Sequence, residues 1–99
     1  MEFNNTITQE KLAKYFAITK EAIEKVKSHE MDVDRLKEAN DFLSMAENYF
    51  SDAKHFFEEK KDMVLAFAAL NYAHGWLDAG ARSGLFKVHD SRLFTVDDE

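Results

Sequence analysis

Residues 33–60 read VDRLKEANDFLSMAENYFSDAKHFFEEK, and their apolar positions recur at Leu36, Ala39, Leu43, Ala46, Phe50, Ala53 and Phe57. Steps of three and four alternate without a break, a spacing that lines side chains along one face of an α-helix. Phe42, Tyr49 and Phe56 widen the stripe, so this helix is expected to touch two neighbours. At about 1.5 Å per residue it spans about 40 Å. The segment HEMDVD ahead of it breaks the period, and Asp32 is placed to cap the helix N-terminus.

Two further helices follow from the same pattern. Thr8 is a candidate N-cap for a helix over residues 8–29, with Glu10 in its first turn and Leu12, Phe16, Ile23 and Val26 as its stripe. Tyr15 and Ala22 lie beside that stripe. Glu10/Lys14 and Glu21/Lys25 are i, i+4 pairs on the wet side, worth about 0.2–0.5 kcal/mol each. His29 falls at the C-terminus of this helix, where an imidazole suits the last carbonyls.

The third helix spans residues 62–83, with Asp62 as N-cap and Gly84 as a left-handed stop. Its core-facing positions are Ala66, Ala69, Leu70, Ala73, Trp76, Leu77 and Gly80. The small residues among them let another helix approach closely. That contact offsets the roughly 1 kcal/mol that each of Gly75 and Gly80 costs in helix propensity.

Short connections force antiparallel neighbours, so the expected fold is all-α: one domain over residues 1–99, an up-down-up three-helix bundle. There is no proline, and all three glycines fall at position 75 or later, so the punctuation of a β-rich chain is missing. In the tail, residues 85–99, LFKV and RLFTV flank a turn-like HDS, which reads as a hairpin or an extended segment laid on the bundle. The acidic end at Asp97, Asp98 and Glu99 is expected to fray. The sequence in EEKKDM places lysine where glycine would turn more easily between helices.

Composition removes several functions. With no cysteine there is neither a disulfide framework nor a thiolate metal site. A net charge of −6 argues against a nucleic-acid backbone as partner. The lysines of the first helix read as a solvated face. No stretch approaches the ~20 apolar residues of a membrane span, and the polar start is no signal peptide, so a cytoplasmic protein is expected.

The run AENYFSDAKHFFEEKKDMVLAFAALNYAHGWLDAGARSGLF, residues 46–86, resembles an archaeal family known as domain of unknown function 357. The order of aromatic, small and polar residues agrees over YFSDAKHFFEEKKDMVLAFAALNYAHGWLDAG and the later GLF, whereas the first helix agrees only in kind. The resemblance implies a helical bundle of archaeal, cytoplasmic origin. It implies no activity and supplies no catalytic residues.

Polar side chains offer one candidate site. Asn71, His74, Asp78 and Arg82 form a stripe on the third helix, and Asn48, Asp52, His55 and Glu59 do the same on the second. Antiparallel pairing about Lys61 sets Asn48 level with His74 and Asp52 level with Asn71 or Leu70, a polar seam. Asp52/His55 and His74/Asp78 have the i, i+3 and i, i+4 spacings that bundle metal sites use. Arg82 and His89, six residues apart, formally meet the Arg-to-His spacing of HEPN-type nucleases, although Gly84 should end the helix between them. The plainer reading is that Asn71, His74 and Asp78 satisfy one another or a facing helix, and that Asp78/Arg82 is a surface ion pair.

No nucleophile elbow or glycine-rich phosphate loop accompanies these residues, and no cofactor is expected. The leading expectation is a non-enzymatic module that binds another protein or a second copy of itself. The large residues Phe42, Tyr49, Phe56, Phe67 and Tyr72 lie off the narrowest stripes, and exposed apolar patches mark interfaces. The alternative is a metal or small-ligand site on the seam Asp52, His55, Asn71, His74, Asp78 and Arg82.

Overall fold

A computed structural model describes residues 2–96. Its helices are α1 (Gln9–Lys27), α2 (Leu36–Glu58) and α3 (Met63–Arg82), with one 3-10 turn at Val33–Arg35 ahead of α2. The residues expected at Asp97, Asp98 and Glu99 lie outside the described range.

The caps act as their chemistry requires. The Thr8 hydroxyl accepts from the Lys11 N–H at 3.0 Å, and the Asp62 carboxylate accepts from the Leu65 N–H at 3.0 Å. His29 Nδ1 donates to the Lys25 carbonyl at 2.8 Å, which closes the end of α1. Asp32 is the exception. It caps the 3-10 turn, accepting from the Asp34 N–H at 3.0 Å, and α2 begins only afterwards. Leu36 therefore starts the helix beyond the edge of the bundle, and it is 49% exposed instead of buried. The Arg35 guanidinium bonds the Asp32 carboxylate and reaches the Ser83 carbonyl at 2.9 Å, tying this turn to the end of α3.

α2 and α3 form the closest pair. Phe42 meets Trp76 edge-on at 4.9 Å and Tyr49 meets Tyr72 at 4.5 Å, which fixes the antiparallel register. Ala46 then falls roughly level with Ala73, Ala39 with Gly80 and Ala53 with Ala66. These small residues recur every seven positions on each helix, and all are buried. Small residues at these positions leave no bulk between the two helices, which favours close packing.

Lys61, in the connection, has φ 54°, a left-handed conformation that costs a side-chain-bearing residue about 1–2 kcal/mol. Replacing Lys61 by glycine is expected to raise stability by about 0.5–1 kcal/mol in urea unfolding.

The tail differs from a hairpin. Residues 85–87 pair with the α1–α2 connection: the Asp32 N–H donates to Leu85 O and the Lys87 N–H to Glu30 O, both at 2.9 Å, around a single antiparallel bridge between Met31 and Phe86. Asp90 then reverses the chain, its carboxylate accepting from the Arg92 N–H and its carbonyl from those of Leu93 and Phe94. The connection before α2 carries an unpaired backbone edge beside the end of α3, so LFKV pairs there and not with RLFTV. Leu85, Phe86, Val88, Leu93 and Phe94 are all buried and join Ile23, Val26, Leu43 and Leu77 in one core cluster. A second cluster around Leu12, Ala53, Ala66 and Leu70 fills the other end of the bundle.

Candidate functional site

Within the polar stripe of α3, His74 and Asp78 turn toward α1 and the tail, not toward α2. Leu93 O can only accept, so His74 Nε2 carries the proton and donates to it, while Nδ1 lies 3.2 Å from the Thr19 hydroxyl of α1. Thr19 is buried, at 2% exposure. It occupies the gap in the stripe Leu12, Phe16, Ile23, Val26, so its burial was readable from spacing, although its partner was not. One turn further, the Asp78 carboxylate accepts from the Thr95 N–H at 3.0 Å and lies 3.9 Å from His74 Nε2. His74 and Asp78 thus hold the tail by its backbone.

Ion pairs reinforce that attachment. Arg92 grips Glu21 of α1 with both guanidinium branches, and Asp90 lies 3.6 Å from Lys25. The hydrogen bond from Arg92 holds the Glu21 carboxyl below its ordinary value of 4.5. A depressed carboxylate stabilises the folded state above its unfolded pKa, and that contribution is lost as pH falls through the lowered value. Acid titration should therefore loosen the tail below pH 4.5, with a smaller loss in Arg92→Ala, read by unfolding at each pH.

The remaining seam residues do not converge. Asn48 and Asp52 sit at the heights expected beside α3, but on the outer side of α2, and both are exposed. His55 is exposed as well, its ring 6.1 Å from that of Phe56. Asn71 donates to the Phe67 carbonyl of its own helix at 3.0 Å. Arg82 is exposed on the last turn, with Asp78 engaged by Thr95 instead. A register argument places residues by height; it does not fix which way they turn about the helix axis, and here the two stripes turn apart. Among the described residues no three His, Asp or Glu side chains gather to hold a metal. α3 stops at Arg82, and Gly84 (φ 80°) separates it from His89.

The large apolar residues sort themselves by contact. Phe42 and Tyr49 lean on Trp76 and Tyr72, Phe67 packs edge-on against Tyr15 at 5.0 Å, and Phe56 borders the second core cluster. Tyr72 stays 60% exposed, and Val64 and Leu65 on the same side of α3 are 69% and 47% exposed. Between them run exposed Ala68, Gly75 and Ala79, which with Asn71 and Trp76 floor a shallow depression. Residues 63–77 contain no Asp, Glu, Lys or Arg, in a chain that is 32% charged. The result is an uncharged apolar helix face open to solvent. A second groove, between α1 and α2, has Phe16, Phe50 and Phe57 in its floor and charged groups at its rim.

A family model described as "Protein of unknown function (DUF357)" matches residues 14–86. The chain belongs to the DUF357 family. The DUF357 match reaches back to Lys14, so it takes in most of α1, whose generic apolar spacing had agreed only in kind. It ends at Phe86, which keeps the α2–α3 pair, Gly80 and Gly84 inside and leaves Leu93 and Thr95 beyond. No curated protein and no solved structure matches the chain. No helix among the described residues is long and apolar enough to cross a membrane.

Proposed function

We propose that this DUF357 chain is a non-enzymatic, cytoplasmic protein-interaction module, and that its contact surface is the outer face of α3. The observation that carries this reading is the uncharged apolar stripe Leu65, Ala68, Tyr72, Gly75 and Ala79, exposed along the outer side of α3. Burying such a face against a partner gains about 25 cal/mol per Å² of apolar surface and strands no charge. His74 and Asp78 serve the fold here, holding the tail, and the stripe lies clear of that attachment.

The test places charge on the face without disturbing the core. Ala68 is exposed and a Cβ at Gly75 meets nothing within 4 Å, so Ala68→Glu/Gly75→Glu retains the fold. Immobilised wild-type and variant chains are offered both a lysate of the source cells and labelled copies of the chain. Wild type is expected to retain a stoichiometric protein that the variant loses. Equal retention by both overturns the reading.

A further inference from the structure

We infer that the groove between α1 and α2 binds a single-chain anionic amphiphile, with its apolar tail on the phenylalanine floor and its head between Lys20 and Lys54. No α3 residue lines this groove, so the inference goes beyond the interaction reading and does not rest on it.

The groove exists because α1 packs more closely on α3 than on α2. Tyr15 meets Phe67 edge-on at 5.0 Å, and the Thr19 hydroxyl lies 3.2 Å from His74 Nδ1. Along its first half α1 reaches α2 through Phe16, whose ring stands 5.8 Å from that of Phe50 and 6.0 Å from that of Phe57. Ala13 and Ala17 form the rest of the α1 wall, and both are exposed. Their methyl groups are too short to close the gap. The cavity is about 440 Å³, within the roughly 300–1,000 Å³ of small-ligand sites, and three half-buried phenylalanine rings floor it.

Charge selects the ligand. Lys20 of α1 and Lys54 of α2 line the groove from opposite sides. Lys25 and Lys27, on the same α1, have carboxylate partners, whereas Lys20 and Lys54 pair with no carboxylate among the described residues. In a chain of 19 acids and 13 bases, two unpaired cations over an apolar floor are what an anionic head requires. Glu58 is the one carboxylate in the lining, a turn beyond Lys54 toward the end at Gln9. It gives the site a polarity. The head belongs between the lysines, and the tail runs over Phe16 and Phe57 toward Leu12.

Length favours a small amphiphile over a protein helix. The lining runs from Gln9 to Lys20 on α1, about 16 Å at the helical rise. Past Lys20 the space falls to about 230 Å³, and Lys27 bridges to Glu47 across the two helices at 3.2 Å. A partner helix of more than about three turns, about 10–12 Å across with its side chains, would run into that bridge. A single hydrocarbon chain stops short of it.

Calorimetric titration and amide NMR of the full chain, with decanoate and decyl phosphate below their micelle concentrations, test the site. At least one is expected to bind one-to-one and to shift the amides around Phe16 and Phe50. Decanol and decyltrimethylammonium are expected to bind at least about tenfold more weakly. Lys20→Gln/Lys54→Gln, at two exposed positions, should weaken the anions about tenfold or more and leave decanol as it was. Lys14→Gln/Lys37→Gln, an equal loss of charge outside the groove, should change neither. Circular dichroism confirms that each variant is folded. Equal anion binding in Lys20→Gln/Lys54→Gln, or shifts confined to α3, overturns the inference. Binding of neither anion also overturns it, and groove shifts with an acidic helical peptide or anionic phospholipid vesicles would then assign the groove to a protein helix or a membrane. Ala68→Glu/Gly75→Glu should bind the anions as wild type does, which keeps this inference separable from the interaction reading.

Discussion

Replacing Gly80 by alanine destabilises this protein by about 2–3 kcal/mol, although alanine is the better helix former by about 1 kcal/mol. A Cβ built on Gly80 falls 2.2 Å from Phe86 Cε2, 2.6 Å from Cδ2 and 2.8 Å from Cζ. Those atoms belong to a ring that is 1% exposed and enclosed by the tail, so it cannot swing aside into solvent. Either α3 or the tail must shift, and close-packed interiors accommodate an added methyl poorly. Gly75→Ala is the internal control, because nothing lies within 4 Å of its Cβ. In dilute solution it should raise stability by up to about 1 kcal/mol. Urea unfolding of the two variants gives opposite signs for the same chemical change; equal signs would mean that the Phe86 ring is not where it stands here.

Phe86→Ala is expected to cost about 3–5 kcal/mol, the usual range for emptying a fully buried aromatic site. That is a large part of the total for a domain of this size, typically about 5–15 kcal/mol. Phe86 joins two things that the helices alone do not hold together. Its ring fills the hollow at Gly80, and its backbone lies in the bridge to Met31, flanked by the bonds from Asp32 and Lys87. The same geometry requires coupling between the two sites. In a Phe86→Ala background, Gly80→Ala has no ring to meet, so it should become neutral or stabilising. The double-mutant cycle then shows an interaction energy of about 2–3 kcal/mol. Additive effects would show that the clash at Gly80 comes from elsewhere.

How much of this was legible beforehand depended on the range of the interaction. Thr8, Asp62 and Gly84 act on neighbours three or four residues away, so their roles were plain from local chemistry. The small residues at 66, 69, 73 and 80 announced a close helix pair because burial repeats with the helical period. The lysine at 61 was conspicuous for the opposite reason, as a poor residue for a turn that still adopts φ 54°. Asp32 misled because a single 3-10 turn separates it from α2, a distinction that no periodicity records.

The tail was the harder part. Residues 93–96 dock on α3, but their partners are His74 and Asp78, about twenty residues back, through backbone atoms that carry no sequence signature. For the same reason the polar seam looked like a site. His74 and Asp78 are indeed brought together, with Thr19 as a third member that only the stripe of α1 hinted at. Asp52, His55, Asn71 and Arg82 share their spacing and not their direction. The outer face of α3 was half visible: Tyr72 was flagged among surplus aromatics, whereas Val64 and Leu65 needed the structure to show which side of the helix they occupy.

The claim that this face is covered by a protein partner is tested most directly by hydroxyl-radical footprinting of the chain, purified and then returned to a lysate of the source cells. Phe3, 84% exposed and far from α3 in sequence, serves as the internal standard, and Tyr72, 60% exposed in the single chain, is the probe. The account predicts that Tyr72 oxidises readily in the purified chain and becomes protected several-fold in the lysate, while Phe3 does not change. Tyr72 oxidising at the same rate relative to Phe3 in both samples would contradict it.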